Sequence, residues 1–301
     1  MTALSPTHAV SAVIPNYNGQ HLLAKNLPAV LACLEDGDEL LIIDDCSSDE
    51  SVRWLTQTYK LDLNPELSTE LFRVFTHPKL RLKGKKIDLK LVINQENLRF
   101  AASCNRAVSQ AQHNLIFLIN NDVSPQVQVL SHLVPYFTDE TVFAVGCLEK
   151  ERRGDSIQLG GKNRLWFERG IFMHSRATNF KSGRTGWVSG GSGMFDRSKW
   201  LELDGFDKAF YPAYWEDVDL SFRAKQKGWK VLFEAKAVVN HNHESTNSDV
   251  FGQQKIMDMS WKNARTFTLK NATPAQRLQF WLWQPYWWWA RRQALQKLQS
   301  R

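Results

Sequence analysis

The chain has 301 residues, 43% hydrophobic and 23% charged. That is room for one large domain or two small ones, with enough apolar surface to exclude a disordered chain. Of its 38 basic and 31 acidic residues, eight basic ones and no acid lie in Trp261–Arg301, so the +7 formal charge belongs to the tail and the preceding 260 residues are close to neutral at −1. A nucleic-acid enzyme should also be basic around its cleft, so no nucleic-acid partner is expected. Cys33, Cys46, Cys104 and Cys147 lie far apart with no C-x-x-C pair. This argues against a disulfide scaffold or structural zinc and for a reducing cytosol. The segment Met1–Val10 lacks a basic n-region, and no apolar run approaches ~18 residues. Neither a signal peptide nor a transmembrane helix is expected.

Short β-branched runs alternate with helical patterns through the first 150 residues, which predicts an α/β fold on a largely parallel sheet. Strands are predicted at His8–Ile14, Glu39–Ile43, Leu89–Ile93, Leu115–Ile119 and Val142–Gly146, and helices at Gln20–Leu34, Glu50–Tyr59, Phe100–Gln112 and Gln126–Phe137. Residues 61–88 are polar and Lys-rich and read as a variable excursion. The first four strands run into Pro15-Asn16-Tyr17-Asn18-Gly19, Asp44-Asp45-Cys46-Ser47, Asn94 and Asn120-Asn121-Asp122. Each junction alone is ordinary turn chemistry. Four together place polar groups where open α/β sheets bind ligands, at the carboxyl ends of the strands. No G-x-G-x-x-G or P-loop follows a strand, so a dinucleotide or P-loop site is not supported.

Beyond residue 150, Gly190-Gly191-Ser192-Gly193 marks a close backbone approach. Glu216, Asp217 and Asp219 open a helix that ends in basic residues and Gly228. Dipole matching explains one acid at a helix start. The i, i+3, i+4, i+7 spacing of Asp217, Leu220, Ser221 and Ala224 places Asp217 on a mostly small or apolar face, directed inward. His241 and His243, two apart on an extended segment, project to one side.

These pieces, in this order, resemble the family-2 glycosyltransferases of GT-A fold, over about residues 8–270. The carrying segments are IPNYNG (Ile14–Gly19), IDDCSSDES (Ile43–Ser51), NQENLRFAASCN (Asn94–Asn105), INNDV (Ile119–Val123), SGGSGMF (Ser189–Phe195), DGFD (Asp204–Asp207), YWEDVDLSFRAKQKGW (Tyr214–Trp229) and AVVNHNHEST (Ala237–Thr246). Bacterial rhamnosyltransferase-like members, which build surface polysaccharides and glycolipids, look closest. Two departures stand out. Arg99 replaces the glycine of an N-L-G-F segment, where it either reaches a diphosphate or fills a loop. The D-x-D metal motif is reduced to Asn120-Asn121-Asp122.

The resemblance implies an inverting transfer from a nucleotide-diphosphate sugar to a saccharide or lipid-linked acceptor. Asp217 would be the general base, worth ~10²–10⁴-fold, with Glu216 positioning acceptor or base. Asp122 with His241, or with His243 in its place, would hold Mg²⁺ or Mn²⁺ on the diphosphate. The donor would lie against Pro15, Tyr17, Asn18, Asp44, Asp45, Asn94, Arg99, Asn121 and Gly191, with Asn105 also bracing the pocket. Tyr214 and Trp215 either stack on a sugar or pack as core.

A glycosyltransferase domain is expected over 1–260, with a nucleotide-binding half (1–125) and an acceptor and catalytic half (126–260), followed by a basic, helical, Trp-rich extension (261–301). Phe280–Ala290 is too short to span a bilayer, but its Trp and Tyr followed by Arg291-Arg292 suit an anionic membrane surface, which points to the inner face of the cell membrane. The alternative is docking of this strip on the catalytic body or a second subunit. Competing functions are a sugar-nucleotidyltransferase, which should carry a basic Gly-rich loop absent from IPNYNG, and a non-catalytic relative, disfavoured by retention of Asp122, Asp217 and His241.

Overall fold

The computed structural model describes residues 9–82, 84–153, 156–241 and 246–299. The first part runs β1 (Val10–Asn16), α1 (Gln20–Cys33), β2 (Glu39–Asp44), α2 (Ser51–Tyr59), β3 (Asp62–Leu63), β4 (Phe72–Leu82), β5 (Lys85–Asn94), α3 (Arg99–Gln110), β6 (Leu115–Ile119), β7 (Val123–Pro125) and α4 (Val129–Leu133). The second runs β8 (Val142–Arg153), β9 (Ser156–Gly160), β10 (Asn163–Glu168), β11 (Ile171–Arg176), β12 (Gly183–Arg184), β13 (Ser192–Asp196), α5 (Arg197–Glu202), α6 (Glu216–Gln226) and β14 (Lys230–His241). Three helices follow: α7 (Thr246–Asn271, kinked at Gly252), α8 (Pro274–Leu282) and α9 (Gln284–Gln299).

One large sheet has the order β12-β14-β8-β13-β6-β1-β2-β5-β4-β3, with β7 added to β14 and β9 to β8. Its centre, β6-β1-β2-β5, is parallel. Both faces are covered, so these strands are predominantly apolar rather than alternating, and the charged exceptions Glu39 and Lys90 pair with each other at 2.9 Å. Leu40 and Ile42 join the cluster under α1, α2 and α4, while Leu41 and Ile43 join the one under α3, α5 and α6. A third cluster lies outside the sheet, where Phe172 of the β10–β11 hairpin, Phe210, Trp215, Val218 and α7 residues Ala264 and Phe267 meet. It attaches the C-terminal helices to the body.

The excursion at 61–88 is ordered differently from its reading. It forms β3, β4 and the start of β5, and β4 pairs antiparallel with β5 to extend the sheet. The helix predicted at Gln126–Phe137 is shorter, α4 followed by a 3₁₀ turn that contains Pro135, which has no amide hydrogen to continue an α-helix. Val231–Phe233 and Ala237–Val239 are parts of one strand, β14, with a register shift between Glu234 and Val238. Residue 260, the expected domain limit, falls inside α7. Among the described residues no helix is long and apolar enough to cross a membrane.

Candidate active site

The carboxyl ends of β1, β2, β5 and β6 converge, and their polar residues bind one another. Asn16 donates its amide to the Asp44 carboxylate at 2.9 Å and accepts from the Asn121 amide at 2.9 Å. Asp44 is fully buried and takes two further bonds from the Ser47 backbone and hydroxyl, at 2.9 and 2.7 Å. Burial pushes its carboxyl pKa up against these bonds. The Asn18 amide nitrogen donates to Ser47 Oγ at 2.8 Å, and Asn18 Oδ1 accepts from the Ser48 backbone, so the first two junctions form one unit. Gly19 makes this possible. A Cβ there would sit 2.3 Å from Asn121 Nδ2 and 2.6 Å from Asn16 Oδ1. Pro15 and Tyr17 are half-buried beside it.

Asp45 organises the third junction. Its carboxylate accepts from Asn94 Nδ2 (2.8 Å), Ser103 Oγ (2.7 Å) and the backbone N–H groups of Leu98 (2.8 Å) and Arg99 (2.7 Å). Arg99 opens α3 with φ +67°, a left-handed conformation that costs glycine least. That is the physical reason for a glycine in relatives, and the Asp45 bond holds the arginine backbone there. Asn105 pairs with the backbone of Phe206, bonding both its N–H and its carbonyl at 2.8 Å, and so braces the DGFD turn rather than the nucleotide junctions.

Asp122 and His241 are brought together by sheet pairing. β14 pairs antiparallel with β7, and the register sets His241 against Val123. His241 Nε2 then lies 3.4 Å from Asp122 Oδ2. Burial pulls the imidazole pKa down, but the Asp122 bond and the charges of Asp122, Glu149 and Glu151 outweigh it, for a net rise. Among the described residues Asp122 Oδ1 is buried without a hydrogen-bond partner, as is Asn120 Oδ1. A carboxylate oxygen left open beside an imidazole suits a divalent cation that keeps waters and takes its other ligands from substrate phosphates. Among the described residues no group of three or more His, Cys, Asp or Glu side chains forms a metal cage. Asp122 and His241 thus fit a shared rather than an all-protein site. His243 lies outside the described residues.

The helix start is arranged differently from its pattern. Glu216 and Asp219 are the buried acids of this helix start, while Asp217 is half-buried. Asp219 spends its carboxylate on Arg223 Nε (2.6 Å), Lys270 Nζ (2.9 Å) and Asn271 Nδ2 (3.0 Å). Asp217 accepts from the backbone of Val218 at 2.8 Å, and the Gly190 N–H and the Trp187 side chain also favour its ionised form. Burial raises both the Glu216 and Asp217 pKa values, and the Asp217 charge raises Glu216 further. Among the described residues Glu216 Oε2 has no hydrogen-bond partner. The two neighbouring carboxylates therefore titrate as one coupled pair, displaced upward together. Tyr214 and Trp215, just before them, have φ values of +75° and +77°. Such non-glycine conformations cost ~1–3 kcal/mol each and persist only when surroundings impose them. Trp215 is 4% exposed and lies against His174 and Phe267, so it packs as core and does not offer a face to a sugar.

The glycine turn joins the two chemical centres. Gly191 O accepts from the Asn120 N–H at 3.0 Å, and the Gly190 N–H reaches Asp217. A Cβ on Gly191 would lie 2.7 Å from Asn120 Nδ2. Sequence reasoning missed Ser47, Trp187, Asn263 and the anchoring role of Asp219. Only the last left a signal, Arg223 four residues on.

The tail docks through one side. Phe280 is fully buried, with Arg265 over its ring at 5.2 Å. Gly170, between β10 and β11, allows backbone contact there, since a Cβ would lie 2.8 Å from Phe280 Cα. Trp287 donates to Arg169 O at 2.7 Å and meets Trp261, and Tyr286 bonds the Arg169 guanidinium. Leu278, Trp281, Leu282, Trp283, Trp288 and Trp289 remain exposed.

A parallel sheet with polar strand ends, a small-residue turn and an acidic helix start is the GT-A architecture. The chain belongs to glycosyl transferase family 2, whose family model matches residues 11–200. It is 26% identical to the O-antigen chain rhamnosyltransferase RfbN of Salmonella typhimurium over 80% of this chain and 69% of that one. Among solved structures it is similar to GalNAc-T7 with UDP, GalNAc and Mn²⁺ (TM-score 0.59, 17% identity, 80% of this chain) and spans 45% of that chain. It is also similar to the mannosyltransferase PcManGT of Pyrobaculum calidifontis with GDP-Man and Mn²⁺ (TM-score 0.54, 16% identity), over 93% of this chain and 76% of that one. Family membership removes the sugar-nucleotidyltransferase alternative.

Proposed function

We propose that the protein is an inverting, metal-dependent glycosyltransferase that moves a sugar from a nucleoside diphosphate to a saccharide or lipid-linked acceptor in cell-surface glycan assembly. The observation that carries this is the glycine turn, which ties the Asp217 carboxylate and the Asn120–Asp122 strand end to opposite sides of one short segment. An acceptor hydroxyl beside Asp217 attacks the anomeric carbon, the bond to the diphosphate oxygen breaks, and the proton passes to the Asp217 carboxylate. Bound Mg²⁺ or Mn²⁺ would supply Lewis-acid stabilisation of the departing diphosphate. Asp122 and His241 would hold that ion, and the Asn16–Asp44–Asn121 network would shape the nucleoside pocket with Arg99 at its rim. The resemblance to RfbN supports a deoxyhexose donor and a glycan acceptor. A panel of UDP-, GDP- and dTDP-linked sugars, with and without Mn²⁺, should give metal-stimulated release of nucleoside diphosphate from one nucleotide class. The anomeric configuration of the product, read by NMR, should be opposite to the donor's. Retention would overturn the mechanism.

The tail supports work at the inner membrane face. Its exposed residues combine five large apolar side chains beyond Leu278 (Trp281, Leu282, Trp283, Trp288 and Trp289) with Arg292, which lies over Trp288 at 5.6 Å. Apolar insertion and attraction of ~1 kcal/mol per basic residue then act on one surface. The intact protein should sediment with anionic liposomes and be partly released by high salt, which screens only the electrostatic share. Replacing Trp281, Leu282, Trp288 and Trp289 with serine, and leaving Phe280 and Trp287, should release it without unfolding it. An intact protein that stays in the supernatant at every lipid composition sinks the idea.

A further inference from the structure

The C-terminal helix α7 reaches the catalytic carboxylates from behind. Asn263, 1% exposed, directs its amide into the loop that precedes α6. Its Nδ2 lies 2.9 Å from each of the carbonyl oxygens of Phe210, Ala213 and Tyr214. Two amide hydrogens thus serve three acceptors converging on one point, while Asn263 Oδ1 is buried with no partner among the described residues. That loop ends in the two left-handed residues Tyr214 and Trp215 and leads directly into Glu216 and Asp217. Trp215 also rests on α7, with its ring 5.1 Å from Phe267 and its Nε1 3.4 Å from Ser260 Oγ. On the other side of Asp217, Lys270 and Asn271 of the same helix hold Asp219.

We propose that Asn263 is a positioning residue for the transfer reaction. It fixes the 210–215 loop and through it the direction in which Asp217 presents its carboxylate to the acceptor. The proposal rests on the reading of Asp217 as the base. The general principle is geometric: displacement of a reacting group by ~1 Å costs on the order of 10²-fold in rate. The strand ends that form the nucleoside junction make their bonds among themselves, so loss of the clamp should leave donor binding alone.

The test uses the full chain and the nucleotide sugar selected by the panel. Asn263→Ala should lower kcat ~10–100-fold with the donor KM unchanged, and should displace the acid limb of the pH profile. Asn263→Ser keeps one donor and should recover part of the rate. Amide exchange over residues 210–218 should rise in the alanine variant while β1 and β2 stay protected, a readout that needs no substrate. If exchange there is unchanged, or if both variants turn over within twofold of the parent, the clamp is overturned. If kcat and donor affinity fall together with the melting temperature, the role is merely structural and the proposal also fails. Should the alanine variant not fold, the serine variant decides. Asp217→Asn run alongside separates the two readings: normal turnover there removes the base itself, whereas a slow Asp217→Asn with normal Asn263 variants removes only the clamp.

Discussion

Asp217→Asn is expected to lower turnover by at least ~100-fold while donor binding and fold persist, the lower end of a general base's contribution. The amide keeps the shape and its bond from the Val218 backbone but cannot accept the acceptor's proton. The parent's pH profile carries the same information. Burial raises the Asp217 and Glu216 pKa values, so the acid limb should lie above the ordinary carboxylate range, with rate lost as pH falls through the pair. The stability sign is opposite to that of a salt-bridged acid. A raised folded-state pKa means the folded chain binds protons more tightly, so the pair favours folding at low pH and this is lost as pH rises through the folded values. Asp217→Asn should therefore melt at a higher temperature than the parent at neutral pH. Near-normal turnover with saturating donor, or a parent acid limb at the pH of an exposed carboxylate, would remove Asp217 from the role.

The second large effect is expected at Asp122 and His241. Asp122→Ala should cost at least ~100-fold in turnover, comparable to loss of one preorganised group that stabilises transition-state charge. It should also weaken Mn²⁺-dependent donor binding. His241→Ala should act in the same direction and more weakly, since the Asp122 oxygens remain to hold the ion. The geometric basis is the 3.4 Å approach of Nε2 to Oδ2 and the buried Oδ1 with no hydrogen-bond partner among the described residues. Titration of Mn²⁺ against UDP and GDP binding reads both variants. Activity indifferent to EDTA would assign the diphosphate charge to basic side chains, Arg99 first among them.

The parallel centre of the sheet and the strand ends that carry polar residues are legible in the sequence, which also marks where the turns fall. Strands buried on both faces must be predominantly apolar, and the turns that follow must not be, so both signals are local. The sequence also pointed to Asp217, Asp122 and His241 as a set, through ordered motifs rather than through any one of them. What each polar group does follows from the folded path of the chain. Asp45 reads like Asp44, yet its carboxylate is consumed in holding the Leu98–Arg99 backbone. Helical periodicity directed Asp217 inward, whereas Glu216 and Asp219 are the buried acids, because the left-handed Tyr214–Trp215 entry and the α7 contacts set the rotation of α6. The aromatic tail reads as one strip of composition but is divided by packing, with Phe280 and Trp287 against the body and Trp281, Trp288 and Trp289 facing outward. Asn263 left no trace in the pattern, because its three carbonyl partners lie some 50 residues away along the chain and meet it only when α7 folds back. Local periodicity records which face a residue prefers; long-range hydrogen bonds are set by the path of the chain, which no local window contains.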